Sequence, residues 1–308
     1  MKLAFNRPCA ASADSFYHVR KVKRTLVEAS PFSNPVLKSK IISYIVTRQN
    51  EDGGYAFCQG SLESSAQDTY YGLAILSKLN AAFPNAEKTE NFLCDNRIDS
   101  IYALYYVIKA QLLLSRNINE DQKDCVRDIV DSKIYFGSTD FFSEVSSEFT
   151  TTFMALELAD LLKIVVNSRE VTEWLLSFKN EDGGFGTRGF SNLNSTYYAT
   201  ASLSLLKENH RKLNETLFFV RACEKPYGGF TVIPMNFTPY MEHTYYGVMT
   251  LDLLGEKSKH AKQTVDWVLN CQNKNGGFAR SDLGISTFID TYYAIELLRK
   301  LASQEGQL

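Results

Sequence analysis

Paired cysteines are missing from this chain. Its six cysteines, Cys9, Cys58, Cys94, Cys125, Cys223 and Cys271, stand far apart, with no Cys-x-x-Cys pair and no Cys/His spacing of a structural zinc site. A disulfide scaffold and a zinc-knuckle fold are thereby excluded, and reduced core thiols remain. An excess of charge of one sign is missing too. With 33 basic and 35 acidic residues the formal net charge is -2, so no global field draws nucleic acid or an anionic membrane. No apolar run reaches the length of a membrane span, and Met1 to Ser30 carries too many Lys and Arg to hold a signal-peptide core. The expected location is cytoplasmic. Tryptophan is scarce, present only as Trp174 and Trp267, whereas tyrosine and phenylalanine number 17 and 20.

What the sequence does have is a repeat. Gly-Gly followed by an aromatic occurs at Gly53-Gly54-Tyr55, Gly183-Gly184-Phe185, Gly228-Gly229-Phe230 and Gly276-Gly277-Phe278. From Gly183 to Gly228 is 45 positions and from Gly228 to Gly276 is 48. The 130 positions from Gly53 to Gly183 make three periods of about 43, so two degenerate copies fill that gap. Before each Gly-Gly lies a run with helical periodicity, such as Val171, Trp174, Leu175 and Phe178, which the glycines end. Thirteen to sixteen positions later a second helix opens with Asp68-Thr69-Tyr70-Tyr71, Ser195-Thr196-Tyr197-Tyr198, His243-Thr244-Tyr245-Tyr246 or Asp290-Thr291-Tyr292-Tyr293. Degenerate copies stand at Asp99-Ser100-Ile101-Tyr102 and Thr151-Thr152-Phe153-Met154, with a further one at Asp14-Ser15-Phe16-Tyr17.

The second helices run on as Gly72-Leu73-Ala74-Ile75-Leu76 or Ala294-Ile295-Glu296-Leu297-Leu298, apolar nearly all round, whereas the first helices keep a charged face. A helix apolar on every side is buried on every side. The alternation therefore predicts two concentric layers: an all-α, α/α toroid of about six helical hairpins forming a single domain over 1–308. A helix over about 12–29 is an extra or capping element outside the six hairpins.

Gly-Gly-Phe loops at this period followed by Thr-Tyr helices resemble the β subunits of protein prenyltransferases and the toroidal domains of squalene and oxidosqualene cyclases, over about 36–302. The resemblance implies an isoprenoid-related enzyme that binds a hydrophobic chain in a central aromatic cavity, and it allows a helical partner subunit. It also implies what is absent. The prenyltransferase zinc is held by an Asp-x-Cys and a His at the starts of two inner helices; His243 matches the histidine, but Ser195 and Tyr197 stand in the other two places, so no metal is expected there. Of the diphosphate-binding groups, Arg188 and Tyr198 match, while Ser191 and Thr151 replace a lysine and a histidine. Asp68-Thr69 and Asp290-Thr291 look like the end of the cyclase Asp-x-Asp-Asp-Thr block, with Gln67 and Ile289 in place of its proton donor. No cofactor follows from any of these.

Read from the residues alone, Asp68, Asp99, Ser195 and Thr151 have an adequate role as N-caps. His243 is a poor N-cap and so is a candidate acid, base or ligand contact. Inner helices running parallel gather their N-termini at one mouth, which favours an anion. Ring closure sets Asp68 beside Asp290 and His243 one helix further on, an arrangement open to capping, to acid–base catalysis or to a divalent metal. Tyr71, Tyr198, Tyr246 and Tyr293 each follow the block's first residue by three and share its side of the helix, facing either a ligand or a neighbouring helix. The candidate catalytic residues are thus His243, Asp290 and Asp68, and the candidate binding residues Arg188, Tyr198, Tyr246, Tyr71 and Tyr293. Two alternatives stay open: a non-catalytic toroid holding an apolar ligand or a partner protein and, more remotely, a carbohydrate-active α/α barrel. The scarcity of tryptophan for sugar stacking counts against the last.

Overall fold

Two kinds of helix alternate along the chain, and their sequences show why. EDQKDCVRDIVDS in one has a single apolar stripe, whereas IYALYYVIKAQLL shortly before it has almost no polar side. The computed structural model describes residues 34–132 apart from 62, 97 and 99, then 145–207 and 213–305. The expected helix over 12–29, with its Asp14 copy, and Asp99 lie outside the described residues.

The striped helices are α1 (Pro35–Val46), α3 (Ala86–Asp95), α5 (Glu120–Ser132), α7 (Ser168–Ser177), α9 (Asn214–Cys223) and α11 (Ala261–Asn270). Between them come the apolar α2 (Ala66–Lys78), α4 (Ile101–Leu113), α6 (Val145–Leu162), α8 (Leu193–Leu205), α10 (Met241–Leu253) and α12 (Phe288–Glu305). Each striped helix packs on the apolar helix that follows it, and each apolar helix packs on the next, with α12 returning to α2. Among the described residues, six apolar helices thus form a closed inner ring inside six outer ones. The two-layer expectation holds, and ring closure is a property of the contacts, since the repeat alone is equally compatible with an open solenoid. The only sheet among the described residues is the antiparallel pair β1 (Phe185–Thr187) and β2 (Phe190–Asn192), within one outer-to-inner loop. Among the described residues no helix is long and apolar enough to cross a membrane.

The repeated letters have definite jobs. Asn50 N–H donates to the Gly54 carbonyl and Asp52 accepts from the Gly54 N–H, both at 2.9 Å; Asn180 and Asp182, then Asn273 and Asn275, repeat the arrangement around Gly184 and Gly277. The first glycine of each pair lies where no side chain fits. Gly183 has φ +84°, and a Cβ there would stand 2.3 Å from the Glu215 carbonyl oxygen of α9. Gly276 meets Lys40 of α1 in the same way, which fastens the last hairpin to the first.

The aromatic after each Gly-Gly is fully buried between the layers: Tyr55 lies against Gly72 and Phe230 against Gly247, both glycines of inner helices. Its backbone N–H donates to the threonine of the following block, Tyr55 to Thr69, Phe185 to Thr196, Phe230 to Thr244 and Phe278 to Thr291, at 3.0–3.1 Å. Each of those hydroxyls donates in turn to a carbonyl one turn back. The threonine is therefore a clamp between loop and helix, worth about 1 kcal/mol per bond made.

The capping assignment is corrected by one turn. The inner helices are capped by Ser65, Ser100 and Asn192, whose side chains accept from the backbone N–H three residues on, and the Thr287 hydroxyl accepts in the same way from Asp290 N–H. Asp68, Ser195, His243 and Asp290 are thus in the first helical turn, and Thr151 lies well inside α6. The dipeptide that matches the other Tyr-Tyr blocks in α4 is Tyr105-Tyr106, because Ser100 is the cap; Tyr102 is 40% exposed.

Candidate functional site

Counting from the capping residue, the fifth and sixth positions of five inner helices are all tyrosine: Tyr70 and Tyr71, Tyr105 and Tyr106, Tyr197 and Tyr198, Tyr245 and Tyr246, Tyr292 and Tyr293. Phe153 and Met154 take these places in α6. Equal register on parallel helices brings all twelve side chains to one level of the lumen. There the rings form a nearly continuous belt: Tyr71 to Tyr106 at 5.7 Å, Phe153 to Tyr198 at 5.6 Å, Tyr197 stacked on Tyr246 at 4.9 Å, Tyr245 stacked on Tyr293 at 4.3 Å, and Tyr71 against Tyr292 at 5.2 Å between centroids. Tyr246 joins Tyr198 and Tyr293 through its hydroxyl, at 3.1 and 3.4 Å, and Gln67 donates to the Tyr106 hydroxyl at 3.3 Å. Burial pushes these phenols up, Tyr106 to about 12, so they stay protonated and remain donors throughout the neutral range.

Between α4 and α6 the belt is completed by charge. Lys109 Nζ lies 3.0 Å from both oxygens of Glu157 and 2.9 Å from the Tyr105 hydroxyl, which also donates to Glu157. The ammonium stands 5.1 Å from the Tyr70 ring centre and 4.7 Å from that of Tyr105, so the wall already stabilises one cation by carboxylate and ring faces together. The space enclosed by belt and ion pair is a cavity of 110 Å³. A second cavity of 220 Å³ is lined by Phe153 and Tyr197 as well, together with Ala201, Ser204, Leu205, Met249, Asp252 and Leu253.

Of the residues singled out from the sequence, Tyr71, Tyr198, Tyr246 and Tyr293 are brought together in this lumen. Arg188 is not: it is exposed on the turn between β1 and β2 and does not line either cavity. His243, Asp290 and Asp68 stand one turn nearer the helix N-termini, each with its own partners. His243 Nε2 is 3.3 Å from Glu242 and its ring meets Tyr240 edge-on, while Nδ1 has no hydrogen-bond partner; burial, helped by Arg280, lowers its pKa against the pull of Glu242. Asp290, 7% exposed, accepts from the Thr287 hydroxyl at 2.6 Å; burial, with Glu242 adding to it, raises its pKa to about 6, while Thr287 and Arg280 oppose. Asp68 accepts from the Phe57 N–H at 3.1 Å, and burial raises its pKa also. Among the described residues no three His, Cys, Asp or Glu side chains converge in a way that could hold a metal ion. At the positions corresponding to the prenyltransferase zinc ligands, a serine hydroxyl and a phenol pushed up by burial accompany His243, a donor set that does not fit zinc.

Sequence reasoning missed Lys109 and Glu157 and six of the ten tyrosines. A signal was available: each of the two charged residues interrupts an apolar inner helix, Lys109 nine positions after its cap and Glu157 four after Phe153, the place Lys109 holds relative to Tyr105.

Comparison with known proteins agrees with this architecture. The profile of the prenyltransferase alpha-alpha toroid domain matches residues 15–101, 95–238 and 237–306. The Candida albicans protein geranylgeranyltransferase-I, solved in complex with GGPP, is similar to 85% of this chain over 90% of its own, at 17% identity and a TM-score of 0.64. The type II terpene cyclase MstE of Scytonema, solved in complex with geranylgeranyl dihydroxybenzoate, is similar to 87% of this chain over 97% of its own, at 12% identity and a TM-score of 0.60. No curated protein matches by sequence.

Proposed function

The chain belongs to the prenyltransferase alpha-alpha toroid family, and on that premise we propose that it binds an isoprenoid-type ligand in its lumen. The observation that carries this is the tyrosine belt: ten tyrosines from five helices at one level, lining a cavity together with Phe153 and Met154. Aromatic faces suit an unsaturated chain and any positive charge that develops on it, and the phenol hydroxyls offer donors to a polar end. Two solved relatives carry geranylgeranyl ligands. Tyr71, Tyr198, Tyr246 and Tyr293 are then wall residues. The test is calorimetric titration with prenyl alcohols of increasing length. Saturable binding that Tyr198→Ala weakens is expected, and absence of binding across the whole series would refute the reading.

A catalytic reading is favoured by one further observation. Asp290 is a buried carboxyl, titrating near 6, one turn from Tyr293, and so can donate a proton at neutral pH as an ordinary aspartate cannot. His243 with its free Nδ1 and Asp68 with its raised pKa are the other proton-handling groups at that level. Conversion of a bound prenyl compound that Asp290→Asn abolishes would support catalysis; binding without conversion would leave a carrier.

A further inference from the structure

We propose that the loops at the starts of α8, α10 and α12 form a docking face for a second copy of this chain, the two copies meeting about a two-fold axis through the loop between α9 and α10. This assembly is independent of what the lumen binds.

Three neighbouring loops are knitted together at these helix starts. The Val232 carbonyl of the α9–α10 loop accepts from the Leu193 N–H of α8, and the Arg280 carbonyl of the α11–α12 loop accepts from the Met241 N–H of α10, both at 2.9 Å. From the joined loops six large apolar side chains project into solvent. They are Phe190 beside the β1–β2 turn, Ile233, Met235 and Phe237 in the central loop, and Leu283 and Ile285 in the third, with exposures from 36% at Ile233 to 93% at Leu283. At about 150–200 Å² for a fully exposed residue of this size, they present roughly 700 Å². A standard interface uses about 800 Å² per partner. Apolar surface on that scale is seldom left in water by a monomer.

The flanking charges select the occupant. From Pro226 to Tyr240 the central loop carries no Asp, Glu, Lys, Arg or His. Arg188 flanks it on one side, two residues from Phe190, and Asp282 on the other, next to Leu283; both are exposed, and neither makes an ion pair among the described residues. A two-fold axis through the central loop lays the α7–α8 loop of one copy on the α11–α12 loop of the other. Arg188 then meets Asp282 twice, Phe190 meets Leu283 and Ile285, and Met235 and Phe237 meet their own equivalents. A lipid surface suits the face less well, because inserting Leu283 would carry the Asp282 carboxylate out of water with it.

The test is sedimentation equilibrium of the full chain over a wide range of concentration, where a reversible monomer–dimer equilibrium is expected. Met235→Asp sets two carboxylates against each other near the axis and should weaken association at least about a hundredfold. Arg188→Glu and Asp282→Lys should each weaken it about tenfold, since a two-fold dimer of either variant holds two like-charge pairs. An equimolar mixture of those two variants should associate as tightly as the wild type, because the mixed dimer regains both opposite-charge pairs. Circular-dichroism melts establish that the variants are folded, and a folding defect cannot produce recovery on mixing. A wild type that stays monomeric throughout would overturn the dimer, and its co-sedimentation with phosphatidylcholine vesicles would assign the face to a lipid surface instead. A dimer that Met235→Asp leaves intact would place the contact elsewhere and overturn this face. Failure of the mixture to recover would overturn the two-fold arrangement.

Discussion

Replacing Asp290 by Asn should change the pH dependence of stability in a direction that can be worked out in advance. The carboxyl is 7% exposed and titrates near 6 in the folded protein, against 3.8 for a solvated aspartate, because burial disfavours its charged form. The folded state therefore binds the proton more tightly than the unfolded chain. The corresponding stability is fully present below pH 3.8 and is lost as pH rises through about 6, amounting to about 3 kcal/mol for a shift of this size. Asparagine removes the titration and can still accept from the Thr287 hydroxyl, although its amide hydrogens then need an acceptor. Urea unfolding from pH 4 to pH 8 should show the wild type losing stability relative to Asp290→Asn across the window from 4 to 6, with the variant ahead by roughly 1–3 kcal/mol at pH 7.5. His243, whose pKa burial lowers, acts with the opposite sign, costing stability as pH falls below 6.5. It is common to both proteins and cancels in the difference. Parallel pH curves would mean that Asp290 is hydrated and ionised in the folded state, and its role as a neutral-pH acid would fall with them.

Tyr246→Phe removes the hydroxyl that joins Tyr198 and Tyr293 and should cost about 1–2 kcal/mol in urea unfolding; an unchanged midpoint would show that water replaces the bridge. Gly276→Ala forces a Cβ to within 2.3 Å of the Lys40 carbonyl at the seam between the last and first hairpins and should lower stability by more than about 2 kcal/mol, with amide exchange rising first in α1. Lys109→Met should destabilise by about 2–3 kcal/mol because it strands Glu157, whereas Lys109→Met combined with Glu157→Leu should recover most of the loss, as expected of a pair that is 16% and 24% exposed. Additive losses in that double variant would show that the two side chains do not interact.

The fold was legible because its repeat is made of residues with few substitutes. The first glycine of each pair sits at positive φ with a neighbouring helix backbone where a side chain would be, so period and helix ends can be read directly from Gly53, Gly183, Gly228 and Gly276. Closure was expected from the six hairpins and the family resemblance, but the repeat alone does not prove it. It depends on Gly276 reaching Lys40 and on α12 reaching α2, contacts between residues more than two hundred positions apart. The helix starts were misread by one turn because Asp and Ser suit an N-cap and the first turn about equally well, and only hydrogen-bond geometry separates Ser65 from Asp68.

The site was legible to a different degree. Once the threonine clamp fixes the register, the two residues after it must face inward in every repeat, so the tyrosines of four helices follow from the pattern Thr-Tyr-Tyr. In α4 the clamp position is Leu104, and the pair Tyr105-Tyr106 is invisible to a search for threonine. Lys109 and Glu157 are harder still. A lone charge in an apolar helix is costly unless paired, and each partner lies on a different helix 48 positions away. The same register holds Ala74, Ala201, Met249 and Glu296 on the other four inner helices, so the position carries charge on three helices and an apolar side chain on three. A lumen shaped this way is polar where α4 meets α6 and apolar where α8 meets α10.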